Sequence, residues 1–249
     1  MRQVPGAASE IVATLALFGL ESNEPVEFQS QRDSLYQQAF ETLQNAGLIY
    51  GCACSRKEVD QMNEAGAAMR TRVYAGTCSA GTPLGRPIRA YRVRVPDQKI
   101  QVVDRLAGVQ VQQLRRDVGD FIVKRADGLW AYQLAVVVDD AAQRITDVVR
   151  GADLLDNTPR QIFLQQCLGL PVPRYLHVPL VVNTAGQKLS KQSGAVALNI
   201  DQPVDELQRA ARHLGIGPVE ASSVEEFLTS AVQIWSSRIS NHREFHDAS

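Results

Sequence analysis

The sequence predicts an α/β fold, and three observations carry that expectation. Stretches of helical and of strand periodicity alternate along the chain. After "GTPLGRP" the spacing switches from helical to strict two-residue alternation. The apolar fraction, 45% of 249 residues, is enough for a proper core in one large domain or a domain with an insertion. The middle of the chain is richer in antiparallel-looking strands than a simple doubly wound sheet. It reads as the second half of a nucleotide-binding fold carrying an inserted β-rich subdomain.

"MRQVPGAASEIVATLAL" opens almost directly into a helix, with Ser9 placed as its cap and no strand or glycine-rich turn before it. Residues 11–20 form an apolar stretch too short to span a bilayer. They lack a basic flank and a small-residue cleavage site, so they read as one face of an amphipathic helix. A second helix is expected over residues 30–46, with Leu35, Ala39 and Leu43 at helical spacing and Gly47 just past its end. "RKEVDQMNEAGAAMRTRV" follows as a helix and loop. "IRAYRVRV" alternates as a half-buried strand. "IQVVDRLAGVQVQQL", "DFIVKRADGLWAYQLAVVVDD" and "RITDVVRG" continue as strands joined by short turns. "NTPRQIFLQQCLG" predicts a helix capped by Thr158, with Pro159 at its first position. "RYLHVPLVV" predicts a buried strand, and the last fifty or so residues read as helical and polar.

Charge excludes little and focuses the rest. With 26 basic and 27 acidic side chains the formal charge is −1, so no basic excess advertises nucleic acid, although a local basic face remains compatible with RNA. Aromatic residues, at 6%, are too few to suggest a stacking platform for single strands. A cytoplasmic chain with no membrane span is expected, and there four cysteines point to metal or core roles rather than disulfides. Cys52-x-Cys54 is followed by Tyr74-x-x-x-Cys78. Three thiols in one short polar segment are a zinc signal with no local histidine, so Tyr74 or a water would complete a tetrahedron. Spacing alone leaves zinc and ordinary free cysteines both open. Cys167, among apolar neighbours in "LQQCLGL", reads as core. In "AGQKLSKQSG" two lysines, Lys188 and Lys191, flank Ser190 between Gly186 and Gly194. That pattern fits either solvated charge in a turn or a mobile loop bringing ammonium groups to a phosphate. Asp139 and Asp140 read as a carboxylate pair at a strand end, suited to acid–base work, to magnesium or to a structural turn.

Three stretches, "YAGTC" after "CAC", "WAYQLAVVVDDAAQRITDVVRGADLLDNTPRQ" and "HVPLVVNTAGQKLSKQ", together resemble the glutamyl- and glutaminyl-type class I aminoacyl-tRNA synthetases, and the likeness covers essentially the whole chain. The resemblance implies a Rossmann-like class I catalytic core with a zinc-binding insertion and a short helical C-terminal region. It divides the chain into the helical remainder of the first nucleotide-binding half (1–48), the insertion (49–84), the second half of the core (85–200) and a C-terminal helical region without an anticodon-binding domain (201–249). It implies that "KLSKQ" is a KMSKS-type loop in which Lys191 contacts ATP and Lys188 assists. Tyr132 and Arg150 are implied to hold glutamate. Cys52, Cys54, Tyr74 and Cys78 are implied to hold one structural Zn2+ per chain. Because a carboxylate nucleophile needs no protein base, Asp139 and Asp140 are given a structural turn role.

Only 57 residues follow Gln192, fewer than an anticodon-binding domain needs, so the likeness is to the short members of the family. Those members imply tRNA-independent activation of L-glutamate with ATP and Mg2+, and transfer of the glutamate to the queuosine base of tRNA(Asp), by a monomeric cytoplasmic enzyme. The family's first strand and "HIGH"-type motif have no counterpart, and the four histidines (His177, His213, His242, His246) are scattered, so an N-terminally incomplete core is expected. The alternatives are an inactive, zinc-stabilised tRNA-binding module and a fragment of a glutamyl-tRNA synthetase.

Overall fold

The computed structural model describes residues 4–64, 73–189 and 195–246. In chain order these form α1 (Ala7–Leu17), α2 (Asp33–Asn45), β1 (Ile49–Cys52), α3 (Arg56–Glu64), β2 (Ala90–Val93), β3 (Lys99–Asp104), β4 (Gly108–Gln113), α4 (Leu114–Asp117), β5 (Phe121–Lys124), α5 (Tyr132–Ala142), β6 (Asp147–Gly151), α6 (Thr158–Leu168), β7 (Arg174–Val178), α7 (Pro203–His213) and α8 (Val224–His246). Two compact units result: Glu27–Val149 with Leu154–Leu176, and Met1–Val26 with Arg150–Asp153 and His177–Ser249. Among the described residues no helix is long and apolar enough to cross a membrane.

The larger unit holds the main core. α2 buries Tyr36, Phe40 and Leu43, while Leu35 and Ala39 pack at its margin. The apolar stripe thus sits one residue round from the expected face, because the aromatic rings offer more area to bury. Gly47, at φ 71°, ends the helix in the left-handed region that a glycine adopts without strain. β1, β2 and β5 form an antiparallel sheet in the order β1-β2-β5. A second sheet has the order β4-β3-β7-β6, with β3 antiparallel to β4 and parallel to β7. β3 alternates as its sequence does, burying Ile100, Val102 and Asp104. The Asp104 carboxylate accepts the N–H groups of Leu106 (3.0 Å) and Ala107 (2.7 Å), which shapes the hairpin turn into β4.

Residues 132–142 correct one expectation. They form helix α5, where the sequence suggests a strand. The run is apolar enough for either state, and a short continuous apolar run carries no decisive period. The helix buries Leu134, Ala135, Val137 and Val138, and Asp139 is buried beside them. Two caps also differ. α1 begins after Gly6, at φ 83°, so Ser9 lies inside the helix. α6 has Asn157 at the cap position, and the Thr158 hydroxyl donates back to the Leu154 carbonyl at 3.5 Å. Pro159 accordingly stands second in the helix rather than first, still within the first turn, and Gly169 lies in the left-handed region after the last turn.

In the other unit α7 and α8 pack around Ala211, Ile216, Val219 and Phe227. α1 forms, but none of its residues is buried, and its apolar face is open at Ile11, Leu15 and Leu17. Packing begins only after its end, where Phe18 is buried and Gly19 lies against Val224 and Leu228.

Candidate functional site

The cysteine cluster is the most sharply defined chemical site of the larger unit. β1 carries Cys52 at its last position, and the following turn supplies Cys54. Tyr74 reaches the cluster because its backbone bridges Gly119; a Cβ there would overlap the Tyr74 backbone, and Gly119 has φ 69°. The Sγ atoms of Cys52, Cys54 and Cys78 lie within 4.8 Å of one another. The Cys54 and Cys78 sulfurs are 3.7 Å apart, too far for a disulfide, and both residues are free thiols. Four ligands at a metal–sulfur distance of ~2.3 Å in a tetrahedron place sulfurs about 3.8 Å apart, so the spacing suits one metal ion. The Tyr74 hydroxyl lies against the cluster: it accepts from the Cys52 thiol (3.4 Å) and the Cys78 N–H (3.0 Å), and lies 3.6 Å from Cys54 Sγ.

Electrostatics around the cluster are uneven. Burial opposes ionisation of Cys52, yet its bonds to Tyr74 and Arg92 outweigh burial and hold the thiol below its ordinary value. Burial pushes Cys54 up to about 11. Burial, with the surrounding thiols, raises the Tyr74 phenol well above its usual range. The Arg92 guanidinium lies 3.7 Å over the Tyr74 ring, a cation placed beside what would be a cluster of thiolates.

The other anticipated residues fall in both units. Tyr132 is the first residue of α5 in the larger unit and is 46% exposed. Arg150 lies in the other unit, where its Nε donates to Nε2 of His177 at 3.0 Å. His177 is buried on β7, so its imidazole accepts this bond as the Nδ1–H tautomer and fixes one edge of the guanidinium. Counted only as one of four scattered histidines, His177 carries no functional signal in sequence; its place inside the apolar run "YLHVPL" is what marks it. Lys188 closes a hairpin by bridging Val182. The turn is shaped by the Asn183 side chain, which accepts from Ala185 N–H (3.0 Å) and Gln187 N–H (2.9 Å), with Gly186 at φ 74°. The Lys188 ammonium forms an ion pair with Asp153, which holds that carboxyl below its usual range. Lys191, Ser190 and Gly194 lie outside the described residues.

Asp139 is a structural clamp rather than a turn residue or a metal ligand. It accepts from Gln29 Nε2 (2.8 Å), Arg32 Nε (2.7 Å) and the Tyr36 hydroxyl (2.9 Å to each oxygen). Burial and this carboxylate raise the Tyr36 phenol above its ordinary value. The clamp ties α5, and Tyr132 at its start, to α2.

Mixed sheets packed with helices match the catalytic domain of the class I synthetases. The chain belongs to the class I tRNA synthetases (E and Q), catalytic domain, whose family model matches residues 1–230. It is 52% identical over 244 residues to a protein of Burkholderia cenocepacia named glutamyl-Q tRNA(Asp) synthetase, a match spanning 95% of this chain and 82% of that one. A protein of the same name from Ralstonia nicotianae is 52% identical over 246 residues, covering 96% of this chain and 78% of its own. Among solved structures, a glutamate tRNA ligase from Elizabethkingia meningosepticum in complex with its amino acid superposes with a TM-score of 0.65 at 25% identity, over 78% of this chain. The present chain spans 43% of that ligase.

Proposed function

We propose that the protein is an ATP-dependent ligase that activates L-glutamate without tRNA and transfers it to the queuosine base of tRNA(Asp). The observation that carries this reading is the 52% identity, over 95% of the chain, to proteins named for that reaction. The α-carboxylate of glutamate attacks the α-phosphorus of ATP, the bond to the bridging oxygen breaks, and pyrophosphate leaves with its Mg2+. A hydroxyl of the queuosine ring then attacks the carbonyl carbon of the adenylate and releases AMP.

Arg150 grips a carboxylate of glutamate, since a planar guanidinium pairs with carboxylate through two parallel bonds, and the His177 bond restricts its rotation. The Tyr132 hydroxyl orients the amino acid. Lys191 stabilises the charge that grows toward pyrophosphate, binding the transition state better than the ground state. Lys188 assists once it leaves Asp153, and the hinge at Gly186 supports a loop that closes on ATP. Cys52, Cys54, Tyr74 and Cys78 hold one structural Zn2+, which pins the insertion and takes no part in the chemistry. The protein acts as a cytoplasmic monomer.

The test is glutamate-dependent ATP–pyrophosphate exchange by the full-length protein with no RNA present. Exchange with glutamate and not with glutamine is expected. Exchange that requires tRNA would instead identify a glutamyl-tRNA synthetase, and none under any condition would overturn the enzyme reading.

A further inference from the structure

Two adjoining cavities beside the cysteine cluster, of about 480 and 320 Å³, share Val59, Arg92 and Ile122 in their walls. The first is also lined by Arg56, Arg89 and Arg125, the second by Arg160. Five arginines and no lysine thus line this pair of adjoining cavities, which together make a cationic trough, on a chain whose formal charge is −1. The acidic residues in its walls are Asp60 and Asp120. Asp120 is already engaged, accepting from the Tyr50 hydroxyl (2.6 Å) and Val95 N–H (2.9 Å).

The arginines divide into a rim and an interior. Arg56 and Arg89 are exposed and have no ion pair among the described residues, while Arg125 pairs with Asp127 at the surface at 2.7 Å. Arg92 is 8% exposed, and both it and Arg160 carry a buried Nε with no hydrogen-bond partner. Neutral acceptors take one N–H of each guanidinium: the Asp120 carbonyl takes Arg92 Nη1 at 2.7 Å, and Asn157 Oδ1 takes Arg160 Nη1 at 2.8 Å; Arg92 also lies against the Cys52 thiol and the Tyr74 ring. Asn157 also accepts from Gln133 Nε2 at 2.5 Å, which fixes its orientation. Arg160, a positioned guanidinium with a buried, unmet Nε–H and no carboxylate within ion-pair distance among the described residues, suits an anion from outside the chain, and Arg92 adds a buried positive charge beside it.

We infer that this trough grips consecutive phosphates of an RNA backbone, with Arg56 and Arg89 at the mouth and Arg92 and Arg160 inside. Two cavities in series suit a chain of phosphates better than a single small anion, and Ala90, Val59 and Ile122 between the cations offer an apolar wall to ribose. The choice of RNA over another polyanion rests on the proposed function and on membership of a tRNA synthetase family. The trough therefore names the surface by which that substrate is held.

The experiment measures fluorescence anisotropy of a labelled, unmodified tRNA(Asp) transcript against the full-length protein at several salt concentrations. It compares wild type with the double variant Arg56→Gln/Arg89→Gln and with Arg160→Gln. The double variant changes only exposed side chains and so retains the fold; a thermal melt checks Arg160→Gln, and the double variant decides if that one unfolds. Affinity is expected to fall about ten-fold in the double variant, and the slope of log K against log salt to shrink by about 0.7–0.9 for each phosphate that is no longer neutralised. Unchanged affinity and slope in the double variant would overturn the trough, as would failure of the wild type to bind. Poly-L-glutamate competing as well as the transcript at equal charge would overturn it in favour of an acidic protein partner. A wild type that binds with the expected slope yet shows no glutamate-dependent exchange would sink the proposed reaction alone and leave the trough standing.

Discussion

Asp139→Asn isolates the clamp between α2 and α5. The substitution keeps the shape of the side chain and removes its charge. The Arg32 and Asp139 side chains are each 10% exposed, so the variant leaves a largely buried guanidinium facing a neutral amide. Removing one partner of a buried pair costs about 3–5 kcal/mol. The cost should sit near the lower end, because Arg32 also reaches Glu27 at 3.1 Å, although that carboxylate is half in water. The asparagine also offers one acceptor oxygen to a Gln29 amide, an Arg32 N–H and a Tyr36 hydroxyl that now share two. About 3 kcal/mol in a chain of this size lowers the melting midpoint by roughly 6–12 °C. Tyr36→Phe, which removes a single bond to the charged group, should cost about 1.5–3 kcal/mol. Asp139→Leu combined with Arg32→Met should recover much of the loss, since two apolar groups leave no stranded charge. Thermal melts followed by circular dichroism read all of these. A midpoint for Asp139→Asn within about 1 °C of wild type would refute the clamp. Tyr132 lies two helical turns before Asp139 on α5, so a loosened clamp should also raise KM for glutamate more than it lowers kcat.

Cys78→Ser should lower bound zinc from about one ion per chain to well below half, by elemental analysis, because a hydroxyl is a far poorer ligand than a thiolate; full retention would place the metal elsewhere. Arg150→Lys should raise KM for glutamate at least ten-fold, since a point charge cannot reproduce the two-pronged grip, and His177→Phe should raise it less; equal KM in both variants and wild type would remove Arg150 from the pocket. Arg86 holds the Glu58 carboxyl down at about 2, from an ordinary value near 4.5. A depressed carboxyl stabilises the fold above its unfolded value and loses that contribution as pH falls toward 2. The midpoint of wild type should therefore exceed that of Arg86→Gln at pH 6, and the gap should close on acidification between those two values; a gap that grows with acid would contradict the assignment.

What the sequence makes legible is local. The β3–β4 hairpin follows from alternation and an aspartate that folds back on its own turn, and α6 from a proline in its first turn and a glycine after its last. α5 reads as a strand because its apolar run has no clean period; what makes it a helix is packing against α2 and the Asp139 clamp, whose partner Tyr36 stands 103 residues away in sequence. The spacing of the cysteines leaves a metal site and ordinary free thiols both open, with Tyr74 or a water as fourth ligand, and the family likeness is what favours Tyr74. His177 is hidden for a different reason: its role depends on Arg150 on another strand, 27 residues earlier.

The same reasoning explains why composition misleads about nucleic acid. A formal charge of −1 is a sum over the chain, and a sum says nothing of place. The arginines of the trough come from α3, the chain just before β2, β2 itself, the chain after β5, and α6, so only Arg89 and Arg92 share a basic stretch of sequence, residues 86–94. Cys54 lines the first cavity, and Arg56 follows it two residues later at the start of α3. The cysteine cluster and the cationic surface thus share one piece of backbone. A structural ion there would do more than stabilise the insertion: it would fix the position of the guanidiniums at the mouth of the trough, and so join the least catalytic element of the fold to the recognition of its largest substrate.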